Sequence, residues 1–147
     1  MSEILDAFWN LFVNRSDTYA VQLEKGYSRV DAPLTKEVLI KHFAGELTVG
    51  TYQINPEDNS VKWLCFDLDP EHIQDPKTVA AALYNAAIGS FFPKSVWLEA
   101  SRFPDPSYHV WSFFLSPIPA KAARWLGLKI LERAGVKCEL FPKQDSI

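Results

Sequence analysis

The order of apolar runs after Val61 constrains this 147-residue chain more than any other feature. Residues 61–68 read as a strand, and an alanine-rich helical pattern follows over about 77–89, with Val79, Leu83, Ala87 and Ile88 on one side. Strand-like runs over 95–100 and 108–115 come next, then a helix over 120–134 and a last strand over 136–141. Strand, helix, strand, strand, helix, strand is the split βαβ, ferredoxin-like unit. Such a unit sets its first and third strands in the centre and its fourth beside the first. Its helices cover one face and leave the other for a site.

Residues 1–60 form a flanking α-β-α-β segment. A helix over 2–13 carries Ile4, Leu5, Phe8, Trp9 and Phe12 at helical spacing, with Ser2 as an N-cap that lacks a capping box. A strand over 19–24, a turn at 25–27, and a helix over 36–43 opened by Thr35 and ended by Gly45 come next. A strand over 48–54 is expected to form a hairpin with 61–68 across Asn55-Pro56-Glu57-Asp58-Asn59. The segment is expected to extend or flank the main sheet. Residues 1–147 thus read as one α+β domain, long enough to bury a sizeable core.

Composition narrows the function. No apolar run approaches the ~18 residues of a membrane span, and the N-terminus lacks the pattern of a signal peptide. Cys65 and Cys138 lie in apolar runs and are expected to be buried, reduced thiols of a cytoplasmic protein. The net charge of −3 does not announce nucleic acid, because phosphate affinity comes from a basic excess.

Chemistry concentrates at three places. In Leu64-Cys65-Phe66-Asp67-Leu68-Asp69 the two carboxylates are two residues apart and share one strand face. They either close a strand end or bind a hard divalent cation. In Ser107-Tyr108-His109, Ser107 and His109 likewise share a face. A lone histidine in an apolar strand is usually a satisfied core residue, but this strand should lie beside the one bearing Asp67. Glu139 stands mid-strand between apolar residues, in the strand expected on the other side of Asp67. With that topology Asp67, Asp69 and Glu139 converge, with His109 across from them. Three carboxylates that can hold two metal ions suit phosphoryl transfer. His42 and His72 have no metal-ligand spacing, and no Walker-A loop, zinc pattern or nucleophile elbow is present.

Asp67-Leu68-Asp69, Ser107-Tyr108-His109 and a late strand acid, in this order, resemble the archaeo-eukaryotic primase superfamily. More closely, the chain resembles the primase domains of TOTE conflict systems and related CRISPR-associated primase–polymerases. The stretches carrying that likeness include Asn14-Arg15-Ser16-Asp17, Gly26-Tyr27-Ser28, Pro33-Leu34-Thr35, His42-Phe43-Ala44-Gly45 and Val49-Gly50-Thr51-Tyr52. They continue through Glu99-Ala100-Ser101-Arg102, His109-Val110-Trp111-Ser112-Phe113-Phe114 and Phe141-Pro142-Lys143-Gln144-Asp145.

The resemblance implies an RRM-like catalytic unit over 61–147. It implies that Asp67, Asp69 and Glu139 are catalytic and hold Mg²⁺ or Mn²⁺. Ser101, Arg102, Ser107, His109 and Lys143 would bind the nucleotide, and Arg15 would contact template or nucleotide. The implied reaction moves a nucleotide from a nucleoside triphosphate to a 3′-hydroxyl on a single-stranded DNA template. Helicase or other domains of a replication or defence system are the implied partners, with no membrane. Two other readings of the same acids are an inactive primase-derived nucleotide or nucleic-acid binding module and a metal-dependent phosphoesterase or nuclease. Where the family often has glycine before its histidine, this chain has Phe103-Pro104-Asp105-Pro106, so this loop offers fewer amide donors to phosphate. Relatives continue past the Phe-Pro-Lys-Gln stretch, and a truncated or reduced C-terminus is therefore expected.

Overall fold

A computed structural model describes residues 2–90 and 93–147. Strand β4 (Ser60–Leu68) organises the larger half. Its alternation divides the faces: Leu64, Phe66 and Leu68 are fully buried in the core beneath the helices, whereas Trp63, Cys65 and Asp67 line a cleft on the opposite side. Strands β5 (Val96–Ser101), β6 (Ser107–Pro119) and β7 (Glu139–Phe141) complete an antiparallel sheet of order β5-β6-β4-β7. The first and third strands of the unit are central and the fourth lies beside the first, as the element order predicts.

Helices α3 (Pro76–Ile88) and α4 (Ala120–Ala134) cover the apolar face. Pro76 opens α3 because a first-turn residue has no use for an N–H, and the Asp75 side chain caps the Thr78 amide at 3.3 Å. Gly135 ends α4 with φ of 66°, a conformation that other residues adopt at a cost. Gly127 lies where α4 crosses β7. A β-carbon there would stand 2.7 Å from both terminal methyls of the buried Leu140. Alanine favours a helix by about 1 kcal/mol over glycine, whereas overpacking costs about 1–3 kcal/mol. The clash wins, and Gly127→Ala is expected to lose about 1–2 kcal/mol in urea denaturation. A stabilised variant would show that Leu140 yields freely.

The N-terminal half builds a second sheet instead of extending the first. Strands β1 (Tyr19–Gln22), β2 (Tyr27–Val30) and β3 (Val49–Gly50) pair antiparallel in the order β2-β1-β3. Helices α1 (Ser2–Phe12) and α2 (Lys36–Phe43) close a small core of Leu5, Val13, Leu34 and Leu39. The hairpin expected between 48–54 and 61–68 does not form. Both edges of β4 are already occupied, by β6 and by β7, so β3 pairs with β1 and shrinks to two residues. Gln53 instead reaches the Trp63 carbonyl through its side chain.

Strand β6 also runs past its expected end at 115. Ile118 and Pro119 pair with Val61 and Ser60 beyond a register shift, an irregularity where proline is tolerated. Helix α1 lies against the face that the helices of the larger half leave open. Lys62 donates to the Val13 and Asn10 carbonyls at 2.6 and 3.1 Å, Trp63 Nε1 donates to the Phe12 carbonyl at 3.2 Å, and Phe12 packs edge-on to Trp111 and Phe113 at 5.3 Å. Among the described residues no helix is long and apolar enough to cross a membrane.

Candidate active site

Register places four side chains in one row across the sheet: Glu99 on β5 faces His109 on β6, His109 faces Asp67 on β4, and Asp67 faces Glu139 on β7. Strand pairing thus brings together residues far apart in the chain. His109 Nε2 stands 3.4 Å from Asp67 Oδ1 and Nδ1 stands 3.3 Å from Glu99 Oε2. These are ion-pair distances, and Asp67 Oδ1 and His109 Nδ1 remain buried without a well-formed hydrogen bond. Glu99 Oε2 also accepts from Trp111 Nε1 at 2.7 Å.

Flanked by Asp67 and Glu99, His109 has its pKa raised to about 9, the two acids outweighing burial. It is a cation at neutral pH. The adjacent His109 imidazolium, with help from Trp111, holds the Glu99 carboxyl below its ordinary range although burial opposes it. Because the folded pKa of His109 is raised, its stabilising contribution is complete below about 6.5 and is lost as pH rises through about 9. In EDTA, the melting-temperature difference between the parent and His109→Gln should therefore shrink across that window. A constant difference would mean that His109 is neutral in the fold.

A second group lies at the adjoining strand ends. Ser101 pairs with Ser107, and Arg102 follows with φ of 57°, a left-handed turn unusual for arginine. Its Nη2 donates to the fully buried Ser107 hydroxyl and stands 3.2 Å from Asp69 Oδ2. Asp69 Oδ1 accepts the Glu71 amide at 3.0 Å, and that bond, followed by Arg102, holds the Asp69 carboxyl below its ordinary range. The loop after Arg102 brings Asp105 into the groove bounded by Asp69, Glu71 and Arg102.

The structure thus joins Asp67, His109 and Glu139 in one row and Asp69, Ser101, Arg102 and Ser107 in the next. It does not draw the three expected metal ligands together: among the described residues no group of three His, Cys, Asp or Glu side chains is placed to hold an ion. Asp69 turns to Arg102, and the exposed Glu139 turns to Lys143 at 2.9 Å. Arg15 is held by both oxygens of Asp17, at 2.7 and 3.1 Å, and lies over the Tyr52 ring. Neither cysteine forms a disulfide. Burial raises both thiols, that of Cys138 to about 12.

Glu99 is the site residue that motif reading passes over. Its signal is parity, since it shares a face of β5 with Ser101 and pairs with His109. A cleft of about 500 Å³ opens beside the row, between the two halves, with Phe12, Trp63 and Trp111 among its walls.

A comparison with curated proteins finds no match. Against models of known families, residues 3–147 match the one described as the archaeo-eukaryotic primase domain of TOTE conflict systems.

Proposed function

The chain belongs to the archaeo-eukaryotic primase domain family of TOTE conflict systems, and from that premise we propose that it is a primase–polymerase core acting on a single-stranded DNA template. In the proposed reaction a 3′-hydroxyl oxygen bonds to the α-phosphorus of a nucleoside triphosphate, the bond to the bridging oxygen breaks, and pyrophosphate leaves. The observation that carries this reading is the pairing of two adjacent groups: a carboxylate row centred on Asp67, and the Arg102 guanidinium held by Ser107 and Asp69 at the strand ends.

Asp67, Asp69 and Glu139 are hard oxygen donors of the kind that suits Mg²⁺ or Mn²⁺, and the buried Asp67 Oδ1 lacks a well-formed hydrogen bond. Once Asp69 turns from Arg102 and Glu139 from Lys143, these three would hold the ion, which when bound activates the attacking hydroxyl and offsets charge on the leaving oxygen. The other roles fall to groups already in place. The His109 imidazolium and the Arg102 guanidinium supply charge-assisted donors to the triphosphate. Ser107 holds Arg102 in its left-handed turn. Lys143, paired with Glu139, would exchange that carboxylate for a phosphate oxygen. Helicase or other domains of a replication or defence system are the proposed partners.

Incubated with Mn²⁺, an unprimed single-stranded template and nucleoside triphosphates, the full chain is expected to make short oligonucleotides, and a double Asp67→Ala, Asp69→Ala variant none. Template binding without product would instead mark a binding module. Degradation of the template would mark a nuclease.

A further inference from the structure

The proposed phosphate-binding groups occupy one end of the aromatic cleft and leave the rest of it without a role. It runs from the Glu99–His109–Asp67 row to the facing N-terminal sheet, and Phe8, Phe12, Trp63 and Trp111 form apolar walls. Its volume of about 500 Å³ lies within the range of about 300–1,000 Å³ typical of small-molecule sites. Such sites pair apolar walls with a few polar groups that fix orientation. Here His42 and Thr51 serve as the polar groups, with the Tyr27 ring at the rim.

His42 is the informative one. Its Nδ1 accepts the Val49 amide at 3.2 Å across the junction of α2 and β3. An imidazole that accepts at Nδ1 carries its proton at Nε2, so the backbone fixes the tautomer. A purely structural role accounts for Nδ1. It leaves Nε2–H, which has no acceptor among the described residues, as a spare donor on a ring that lines the half-buried aromatic cleft.

We propose that His42 is a specificity-determining residue, donating from Nε2 to an acceptor on the sugar or base of a nucleotide whose nucleoside occupies this cleft. The proposal rests on the functional reading above, since it needs the triphosphate at the His109 end of the same cleft. Aromatic walls suit a planar base, because stacking contributes about 1–3 kcal/mol per base with little dependence on base identity. The single fixed donor then supplies the selectivity that stacking lacks.

The test titrates the full chain with ATP, dATP and inorganic tripolyphosphate in Mg²⁺, following heat and tryptophan fluorescence together. Trp63 and Trp111 line the cleft, so nucleotides should quench fluorescence and tripolyphosphate should not. Nucleotides should also bind at least about tenfold tighter than tripolyphosphate, the equivalent of about 1.4 kcal/mol. His42→Phe keeps the ring and removes the donor, and it should cut nucleotide affinity about tenfold while tripolyphosphate affinity stays the same. His42→Gln, which can both accept from Val49 and donate, should restore most of the loss. Tyr27→Ala provides a second variant that does not threaten the fold, as Tyr27 is 58% exposed; it too should weaken nucleotides alone. A loss confined to ATP would assign the acceptor to the 2′-hydroxyl, and an equal loss for dATP would assign it to the base or the remaining sugar oxygens. Either result supports the proposal. Equal binding of nucleotides and tripolyphosphate, indifferent to His42 and Tyr27, would overturn it and leave the phosphate-binding reading intact. Absence of binding by all three ligands would overturn both.

Discussion

Asp67→Asn is expected to lower nucleotide incorporation by at least about 10³-fold, equivalent to about 4 kcal/mol of barrier, with a melting temperature within a few degrees of the parent. Asp67 is the one acid with a site residue on each side, His109 across one strand boundary and Glu139 across the other. Its Oδ1 is buried and has no well-formed hydrogen bond, whereas Asp69 and Glu139 already have Arg102 and Lys143. Removing the central charge therefore removes the carboxylate that keeps a buried oxygen without a well-formed hydrogen bond. Asn keeps the shape of the side chain, and Glu99 still pairs with His109, so the sheet should hold. Asp69→Asn should cost less, since its carboxylate is partly offset by Arg102 before any ligand arrives. Gel-resolved primer synthesis by the two single variants gives the ranking. Equal activity of Asp67→Asn and the parent would remove Asp67 from the chemistry.

The opposite pattern is expected one residue away. Phe66 is fully buried, paired with Val110 on one side and Leu140 on the other, and packed with Leu64 and Leu68 under the helices. Truncating a buried phenylalanine to alanine costs about 3–5 kcal/mol, a large share of the roughly 5–15 kcal/mol that keeps a domain folded. Phe66→Ala should shift the denaturation midpoint accordingly, and activity per folded molecule at low temperature should be largely retained. A cost below about 1 kcal/mol would mean that the core refills the space. Adjacent residues on β4 thus divide the duties of its two faces.

That division is why much of the site could be read from the chain alone. Period-two alternation fixes which residues share a face of a strand, and the order of elements fixes which strands are neighbours. Together they place Asp67, His109 and Glu139 in one row. Glu99 was accessible by the same parity, but a motif-led reading stops at Ser101 and Arg102. Other features depend on competition that no local pattern records. Residues 48–54 carry a fair strand pattern, yet their partner was decided by β6 and β7 already occupying both edges of β4. Strand β2 is an exposed edge with only Tyr27 and Val30 to mark it, so it does not alternate and passes for a turn. The salt bridges that turn Asp69 and Glu139 away from Asp67 depend on where the chain bends after Ser101 and Phe141. His42 has its tautomer fixed by a backbone amide seven residues on, in another element, which donates to Nδ1.

The two walls of the cleft belong to cores of unequal size. The acid row stands on the sheet whose interior is the large cluster around Phe66, and the facing wall rests on the small cluster of Leu5, Val13, Leu34 and Leu39. Regions with fewer buried contacts open at lower free energy than the global unfolding of a protein. The N-terminal wall is therefore expected to be the less protected of the two in amide hydrogen exchange, while the carboxylate row is held by the larger core. In such a molecule the reactive groups stand on the firmer jaw and the N-terminal half is the softer one.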